Sequence, residues 1–478
     1  MNDITLINLA IAQEFGKKVL YKHNSVGIFL LIASLERAGF KVSFSEYCIG
    51  CKSMLTEEID QLIFSVDTTP SIIGIGCHLV HLPFAVAVAE ELKKRFPEKK
   101  IILGGIGPSG VAKELLEEFS FIDAVVVGEA EETIVEVVKN KARGFAGVKG
   151  LLYRDNGRVQ INAPRPHIED LSKIPLPAYH VVDFKSQYEI PTVITSRGCP
   201  FACQFCSLTK FDGRSVRYDS IDNVIKGLKL LKDKYNPKYL FFVDPTFTVN
   251  KKRTLALCRR IEKENLKMKW FCMTRAECMD EQLMEQMARS GCETIFYGLD
   301  TGSDDVLKKI KRGFTVSQVL GVIKKSINYF NIVETGLMWG FPFETLNDFK
   351  ETLKVRDKLE NRFGCGVQLR WLEPYPATVL YRDYKHKLFL PKKYSAIFQP
   401  KAIQSAISKG KDFYNSEQDV SRIPPDVTSI RFVVAASRIA DLCRDTIENN
   451  PHIFTDYYRY ETPDLDEKLK LARKYSIY

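Results

Sequence analysis

The chain has 478 residues, of which 45% are hydrophobic and 27% charged, a balance that excludes disordered and fibrous classes. At ~150 residues per domain there is room for about three domains, each with its own core. A formal charge of +10 is modest over this length. It admits an anionic substrate or cofactor but does not demand nucleic acid, which is not the expected partner.

Short β-rich runs alternate with helical stretches through the first 150 residues. Strands are expected at Ile4 to Ala10, Lys41 to Phe44, Ser71 to Ile75, Lys100 to Leu103 and Ala124 to Val127. Helices are expected around Val26 to Ala38, Glu57 to Phe64, Pro83 to Phe96, Val111 to Phe119 and Ala130 to Asn140. This order predicts an α/β fold: a doubly wound parallel sheet with a ligand crevice at the strands' C-terminal ends. Gly105-Ile106-Gly107-Pro108-Ser109-Gly110 matches G-x-G-x-x-G between a strand and a helix. Against a dinucleotide site, the motif follows the fourth strand rather than the first. Pro108 removes an amide from the turn, and Asp123 and Glu129 are misplaced for the ribose contact. His78 and His81 fall in the loop after the third strand, at the mouth of the crevice. Cys48-Ile49-Gly50-Cys51 is a lone C-x2-C and reads as two reduced thiols.

Residues 151–190 contain Pro164, Pro166, Pro175 and Pro177 and read as a linker. The alternation resumes over 191–388. Strands are expected at Thr192 to Thr195, Tyr239 to Val243, Trp270 to Thr274, Thr294 to Leu299, Val333 to Trp339 and Val367 to Trp371. Six βα units predict a partial (β/α)6 barrel with its functional groups at the C-terminal strand ends. Asp244, Arg275, Asp300-Thr301 and Glu344 all fall at such ends. Residues 389–478 lose the alternation and become lysine-rich, aromatic and helical, with helices expected at Val427 to Cys443 and Leu465 to Tyr478. The run Asp456-Tyr457-Tyr458-Arg459-Tyr460 reads as a packed surface strip, and the whole region as a cap that helps choose the substrate.

The most informative stretch is Cys199-Pro200-Phe201-Ala202-Cys203-Gln204-Phe205-Cys206, which follows the first barrel strand. Three thiolates in eight residues can take three corners of a cubane iron–sulfur cluster, and no fourth cysteine follows at ferredoxin spacing. One iron would keep an open position, as in catalytic metal sites. Zinc motifs instead pair C-x2-C units and close with a fourth ligand. Cys258 and Cys272, within a helix and a strand, read as small core residues.

This C-x3-C-x2-C run resembles the signature of the radical S-adenosylmethionine enzymes. The resemblance implies a [4Fe-4S] cluster on Cys199, Cys203 and Cys206 whose open iron binds S-adenosylmethionine, cleaved by one electron to a 5′-deoxyadenosyl radical. It implies cofactor contacts at Phe205, Asp244, Arg275, Asp300, Thr301 and Glu344. Asp300 stands where the family more often carries Glu, and the family's glycine-rich motif after strand two is replaced by Asp244. The first 150 residues resemble the cobalamin-binding domain that precedes many such barrels, through Gly104-Gly105 and Ala124 to Glu132. That resemblance implies cobalamin contacts at Gly104, Gly105, Gly128, Glu129 and His78. The D-x-H-x-x-G motif of many cobalamin proteins is absent from Tyr21 to Gly27.

Together the two resemblances imply a cobalamin-dependent C-methyltransferase acting on a small-molecule, peptide or protein substrate, with flavodoxin or ferredoxin as electron donor. A cyclase, rearrangement or carbon–carbon coupling enzyme is the first alternative, and a tRNA methylthiotransferase the second. The segment Met1 to Gly16 lacks the basic start of a signal peptide, and the longest apolar run, Val26 to Ala33, is far short of the ~20 residues of a span. The expectation is a cytoplasmic protein with no membrane span.

Overall fold

A computed structural model describes residues 2–11, 14–15, 18–19, 22–23, 26–49, 55–140, 144–182, 184, 189–391 and 443–475. Tyr21, Asn24, Ser25, Cys51 and the helix expected from Val427, except Cys443, lie outside these residues. The chain forms two compact units. One holds Met1–Glu189, Lys210–Gly213 and Ala435–Tyr457; the other holds Ile190–Thr209, Arg214–Val434 and Tyr458–Tyr478.

The first unit is a seven-stranded sheet. Its elements in chain order are β1 (Ile4–Ile11), α1 (Val26–Arg37), β2 (Val42–Ile49), α2 (Leu55–Ser65), β3 (Ile72–Gly76), α3 (Leu82–Arg95), β4 (Lys100–Gly104), α4 (Ala112–Glu118), β5 (Ala124–Val126) and α5 (Glu131–Lys139). A hairpin follows, β6 (Leu151–Asp155) and β7 (Arg158–Ile161). The sheet order is β7-β6-β5-β4-β3-β1-β2. β1 to β5 pair in parallel. Ile7, Ile73, Ile101, Leu103 and Val125 lose all exposure, so strands buried on both faces read as continuous apolar runs. The order reverses between β1 and β3, which places a crevice beyond their C-terminal ends.

The linker expected from residue 151 is corrected over its first part. β6 pairs antiparallel with β5 and extends the sheet. The turn between β6 and β7 carries Asn156 at φ 47° and Gly157 at φ 78°. Asn-Gly is the pair that a two-residue hairpin turn with two positive φ values favours, because its twist matches the strands it joins.

The second unit is a half-barrel of six parallel strands in simple sequential order: β8 (Thr192–Val193), β9 (Tyr239–Phe242), β10 (Lys269–Thr274), β11 (Cys292–Asp300), β12 (Ile332–Trp339) and β13 (Gly366–Trp371). Helices α6 (Ile221–Tyr235), α7 (Lys251–Lys263), α8 (Glu281–Arg289), α9 (Val316–Ser326) and α10 (Leu346–Asp357) fill the intervals, and α11 (Leu465–Lys474) closes the described chain. Each of α6 to α10 starts on a side-chain cap: Ser220, Asn250, Asp280, Thr315 and Thr345 accept from the backbone amide three residues on. Such caps contribute about 1 kcal/mol each and fix where each helix begins relative to the strand end before it.

Alternate residues of β10 to β13 face the helices. Trp270 donates its indole N–H to the carbonyl of Ser290, just after α8, at 3.0 Å. Tyr297 meets Ser326 of α9 at 2.8 Å, and Trp339 packs on Phe349 of α10 at a centroid distance of 5.0 Å. Cys258 and Cys272 are fully buried, as the core reading expects. The intervening residues line the lumen.

Candidate functional site

The cysteine loop leaves β8 through Thr195 and Ser196, and Asp244 at the end of β9 holds that exit. Its carboxylate accepts from the Thr195 amide at 2.7 Å, and from the Thr195 and Ser196 hydroxyls at 2.6 Å each. Arg253 of α7 adds bonds to the Thr195 hydroxyl and carbonyl. Asp244 is buried, and burial raises its carboxyl above the usual range while the three donors pull it back.

Two further backbone bonds pin the loop between the cysteines. Gln204 donates its amide to the Ile310 carbonyl at 3.2 Å, and its own carbonyl accepts from the Leu380 amide at 3.0 Å. Phe205 packs edge-on against Phe341 at 6.3 Å between centroids. Cys199, Cys203 and Cys206 are all half-buried, in contrast to the buried Cys258, Cys272 and Cys292. Burial pushes the Cys206 thiol up to about 11.

Cys203 sits between two guanidinium groups. Arg275, beyond the end of β10, donates to its sulfur at 3.1 Å, and Arg312 donates at 3.0 Å. Both arginines are almost fully buried, at 5% and 6% exposure, so their charge acts through little water. Arg275 is tied to Glu277 at 2.6 Å and to the Arg312 carbonyl at 2.5 Å, and its guanidinium stacks 3.8 Å from the Phe201 ring. Arg312 pairs with Asp300 at 2.5 Å and donates to the Gly298 carbonyl at 2.6 Å. Asp300 itself has φ 73°, a left-handed conformation that Asp tolerates better than most residues. That strained turn sends its carboxylate to Arg312. Burial raises the Asp300 carboxyl, and the two arginines oppose the rise.

Arg312 was not among the residues singled out from the sequence. It follows the short helix Asp304–Lys309 and lies 109 positions from Cys203, with no motif to mark it.

Thr301 and Glu344 find their described hydrogen-bond partners outside the cysteine loop. Thr301 is fully buried against Thr352 of α10, their hydroxyls 3.0 Å apart. Glu344 has no exposure and accepts from the Gly340 amide at 2.7 Å. Lys468 of α11, also without exposure, reaches the Glu344 carbonyl at 2.5 Å, its carboxylate at 3.3 Å and the Thr462 hydroxyl at 2.9 Å. The helix cap at this position belongs to Thr345.

In the first unit, Gly105 (φ 100°) and Gly107 have a shared steric origin. A Cβ on Gly105 would lie 2.7 Å from the Cys77 carbonyl oxygen, and one on Gly107 2.8 Å from the His78 carbonyl carbon. The loops after β3 and β4 thus pack backbone on backbone, which glycine alone permits. A Cβ on Gly104 would make ordinary contact with Val126, while Gly128 (φ 81°) borders open space. Residues 106–109 form one helical turn with Pro108 buried inside it, not a phosphate-cradling loop. The Glu129 carboxylate accepts from the Ile168 amide at 2.7 Å and fastens the chain after the hairpin. His78 is exposed, whereas His81 is buried and neither of its ring nitrogens has a hydrogen-bond partner.

The aromatic run expected as a surface strip is buried instead. Tyr457 donates to the Val80 carbonyl at 2.7 Å within the first unit. Within the second unit, Arg459 lies 5.7 Å from the Trp371 ring and Tyr460 has no exposure.

Among the described residues no three His, Cys, Asp or Glu side chains converge on a point that could hold one metal ion. A cubane cluster makes a different demand, because each thiolate takes a separate iron and the three need not meet. The loop fits this: three accessible thiols, one with N–H donors already aimed at its sulfur. No helix among the described residues is long and apolar enough to cross a membrane.

Comparisons with known proteins agree with this division. Residues 193–355 match the radical SAM superfamily, and residues 15–138 match the B12 binding domain. An uncharacterized methyltransferase of Pyrococcus horikoshii is 33% identical over 319 residues, covering 65% of this chain and 69% of that protein. The anaerobic magnesium-protoporphyrin IX monomethyl ester cyclase of Cereibacter sphaeroides is 26% identical over 343 residues; the match spans 67% of this chain and 55% of the cyclase. Among solved structures, the cobalamin-dependent S-adenosylmethionine radical enzyme OxsB with aqua-cobalamin bound superposes with a TM-score of 0.68. It is 17% identical, with 99% of this chain and 83% of that one covered, a likeness of fold.

Proposed function

Because this chain belongs to the B12-binding radical S-adenosylmethionine enzymes, we propose that it transfers a methyl group to a carbon atom of its substrate. The observation that carries the reading is the thiol loop at the C-terminal end of a parallel half-barrel, in a chain that also supplies a B12-binding sheet. When bound, a [4Fe-4S] cluster with S-adenosylmethionine supplies a radical that removes a substrate hydrogen, and cobalamin supplies the methyl group.

Cys199, Cys203 and Cys206 would hold the cluster. Arg275 and Arg312 offset the thiolate charge at Cys203, and Asp300 aims Arg312. Asp244 positions the loop by fixing Thr195 and Ser196 rather than by touching the cofactor. Phe205 lies beside the third cysteine, and its backbone would meet the adenine of S-adenosylmethionine. Thr301 and Glu344 act as positioning residues through α10 and α11. On the first unit, Gly104, Gly105 and His78, in the loops after β3 and β4, would hold cobalamin; Gly128 and Glu129 shape the neighbouring turn. The protein works in the reducing cytoplasm with flavodoxin or ferredoxin as electron donor.

The test is anaerobic reconstitution with iron, sulfide and cobalamin, then a metal count and assay with S-adenosylmethionine carrying a labelled methyl group. About four irons and one cobalamin per chain, with label retained in a product, are expected. Four irons with no cobalamin and no label transfer would sink the methyl-transfer reading.

A further inference from the structure

The half-barrel lumen carries a polar line on otherwise apolar strands. The register stacks the lumen-facing residues in rows. Met273, Phe296 and Glu334 lie level with Gly366; Gly298 and Gly336 lie level with Gln368; and Met338 lies beside Arg370 nearest the C-terminal end. Phe241 and Phe271 stack on each other at 4.0 Å on the neighbouring strands. Gly336 is required by this arrangement, since a Cβ there would lie 2.7 Å from the Phe296 ring.

The polar groups form one directed chain. Gln368 donates its amide to the Glu334 carboxylate at 3.2 Å, and its carbonyl accepts from Arg370 at 3.0 Å. Only this orientation of the amide serves both neighbours, because a carboxylate needs a donor and a guanidinium needs an acceptor. Glu334 therefore fixes Gln368, which fixes the guanidinium of Arg370. All three side chains are half-buried, and burial raises the Glu334 carboxyl above its ordinary range. Charged groups on an interior barrel face lose hydration without helping the core pack, so stability does not account for them. The cluster cysteines and their arginines do not contact this line in any described hydrogen bond.

We infer that Arg370, aimed by Gln368 and Glu334, is the specificity-determining residue of the substrate site, and that the substrate has an apolar ring-bearing body ending in an acidic group. The guanidinium fork suits a carboxylate or a phosphate; Met338 lies beside it, and Phe271, Met273 and Phe296 continue an apolar face across the next lumen strands. This rests on the lumen being the substrate site of the reaction proposed above.

The test uses reconstituted holoenzyme with saturating S-adenosylhomocysteine, so that the cofactor's own carboxylate position is filled. Binding of 1-naphthylacetate, 1-naphthyl phosphate and the neutral 1-naphthylacetamide is measured by calorimetry. Wild type is expected to bind at least one acid roughly tenfold or more tightly than the amide, as a charge-assisted pair implies. Whichever acid wins identifies the oxyanion. R370Q should bring acid and amide within about twofold, and R370K should restore part of the difference without the bidentate fit. Q368E supplies a second variant: a carboxylate against the guanidinium should weaken acid binding while keeping Arg370 paired.

Equal binding of acid and amide by wild type, no binding of either acid, or an acid preference that survives both R370Q and Q368E would each overturn the inference. None of these readouts requires methyl transfer. Loss of label transfer or cobalamin would instead count against the proposed reaction and leave the binding result standing.

Discussion

Lys468→Met should weaken the docking of α11 in a pH-dependent way. The wild-type lysine and Glu344 have no exposure, so the carboxylate's counter-charge disappears and no water replaces it. Removing one partner of a buried pair costs about 3–5 kcal/mol. The pH dependence follows from the Glu344 carboxyl, which burial raises from 4.5 to about 7 even with Lys468 beside it. A folded pKa above the unfolded one means stability is complete below pH 4.5 and falls as pH rises to the folded pKa. In wild type that fall ends near pH 7.

Without the lysine the folded pKa rises further, and the fall continues through pH 8. The gap between wild type and variant should therefore widen by about 1.4 kcal/mol between pH 6 and pH 8. Amide exchange of segments 340–346 and 465–474, corrected for intrinsic exchange rates, reads the local opening. The double variant E344Q/K468M removes both charges and should recover most of the loss, since a buried pair is often replaceable at little net cost. A gap that is constant or narrows with pH would refute the reasoning.

Three further outcomes follow from the site. R312Q removes an N–H donor from the Cys203 sulfur, so the reduction potential of the reconstituted cluster should become more negative in a redox titration followed by electron paramagnetic resonance. D244N replaces one of the acceptor oxygens for Thr195 and Ser196 with a donor and should cost about 1–3 kcal/mol, with a lower iron yield on reconstitution. The G105A substitution demands a side chain at φ 100° and places a Cβ 2.7 Å from the Cys77 oxygen. It should destabilise the first unit by at least about 1 kcal/mol and lower its cobalamin retention, read by thermal unfolding and absorption of the bound corrinoid.

The sequence by itself determined the chemistry class and the strand–helix order. Cluster ligation needs a residue type at a short spacing, so Cys199, Cys203 and Cys206 are legible without a fold. The parallel strands are legible because burial on both faces leaves a continuous apolar run. The hairpin at 151–161 also had its signal, the pair Asn156-Gly157, which the neighbouring prolines obscured.

Tertiary structure alone decided which charged groups meet. Arg312 reaches Cys203 across 109 positions, and Lys468 reaches Glu344 across 124. Both pairings depend on how the strand ends are placed, and neither has a local pattern. The same holds for Asp244 and Thr301, which sit at strand ends as expected but spend their polar groups on neighbouring backbone and helix. It holds again for Gln368 and Arg370, whose alternation places them on the lumen face only once the register with β12 is known. Spacing along the chain determines what a ligand loop can bind, whereas long-range electrostatics depends on distances that only the packed strands and helices set.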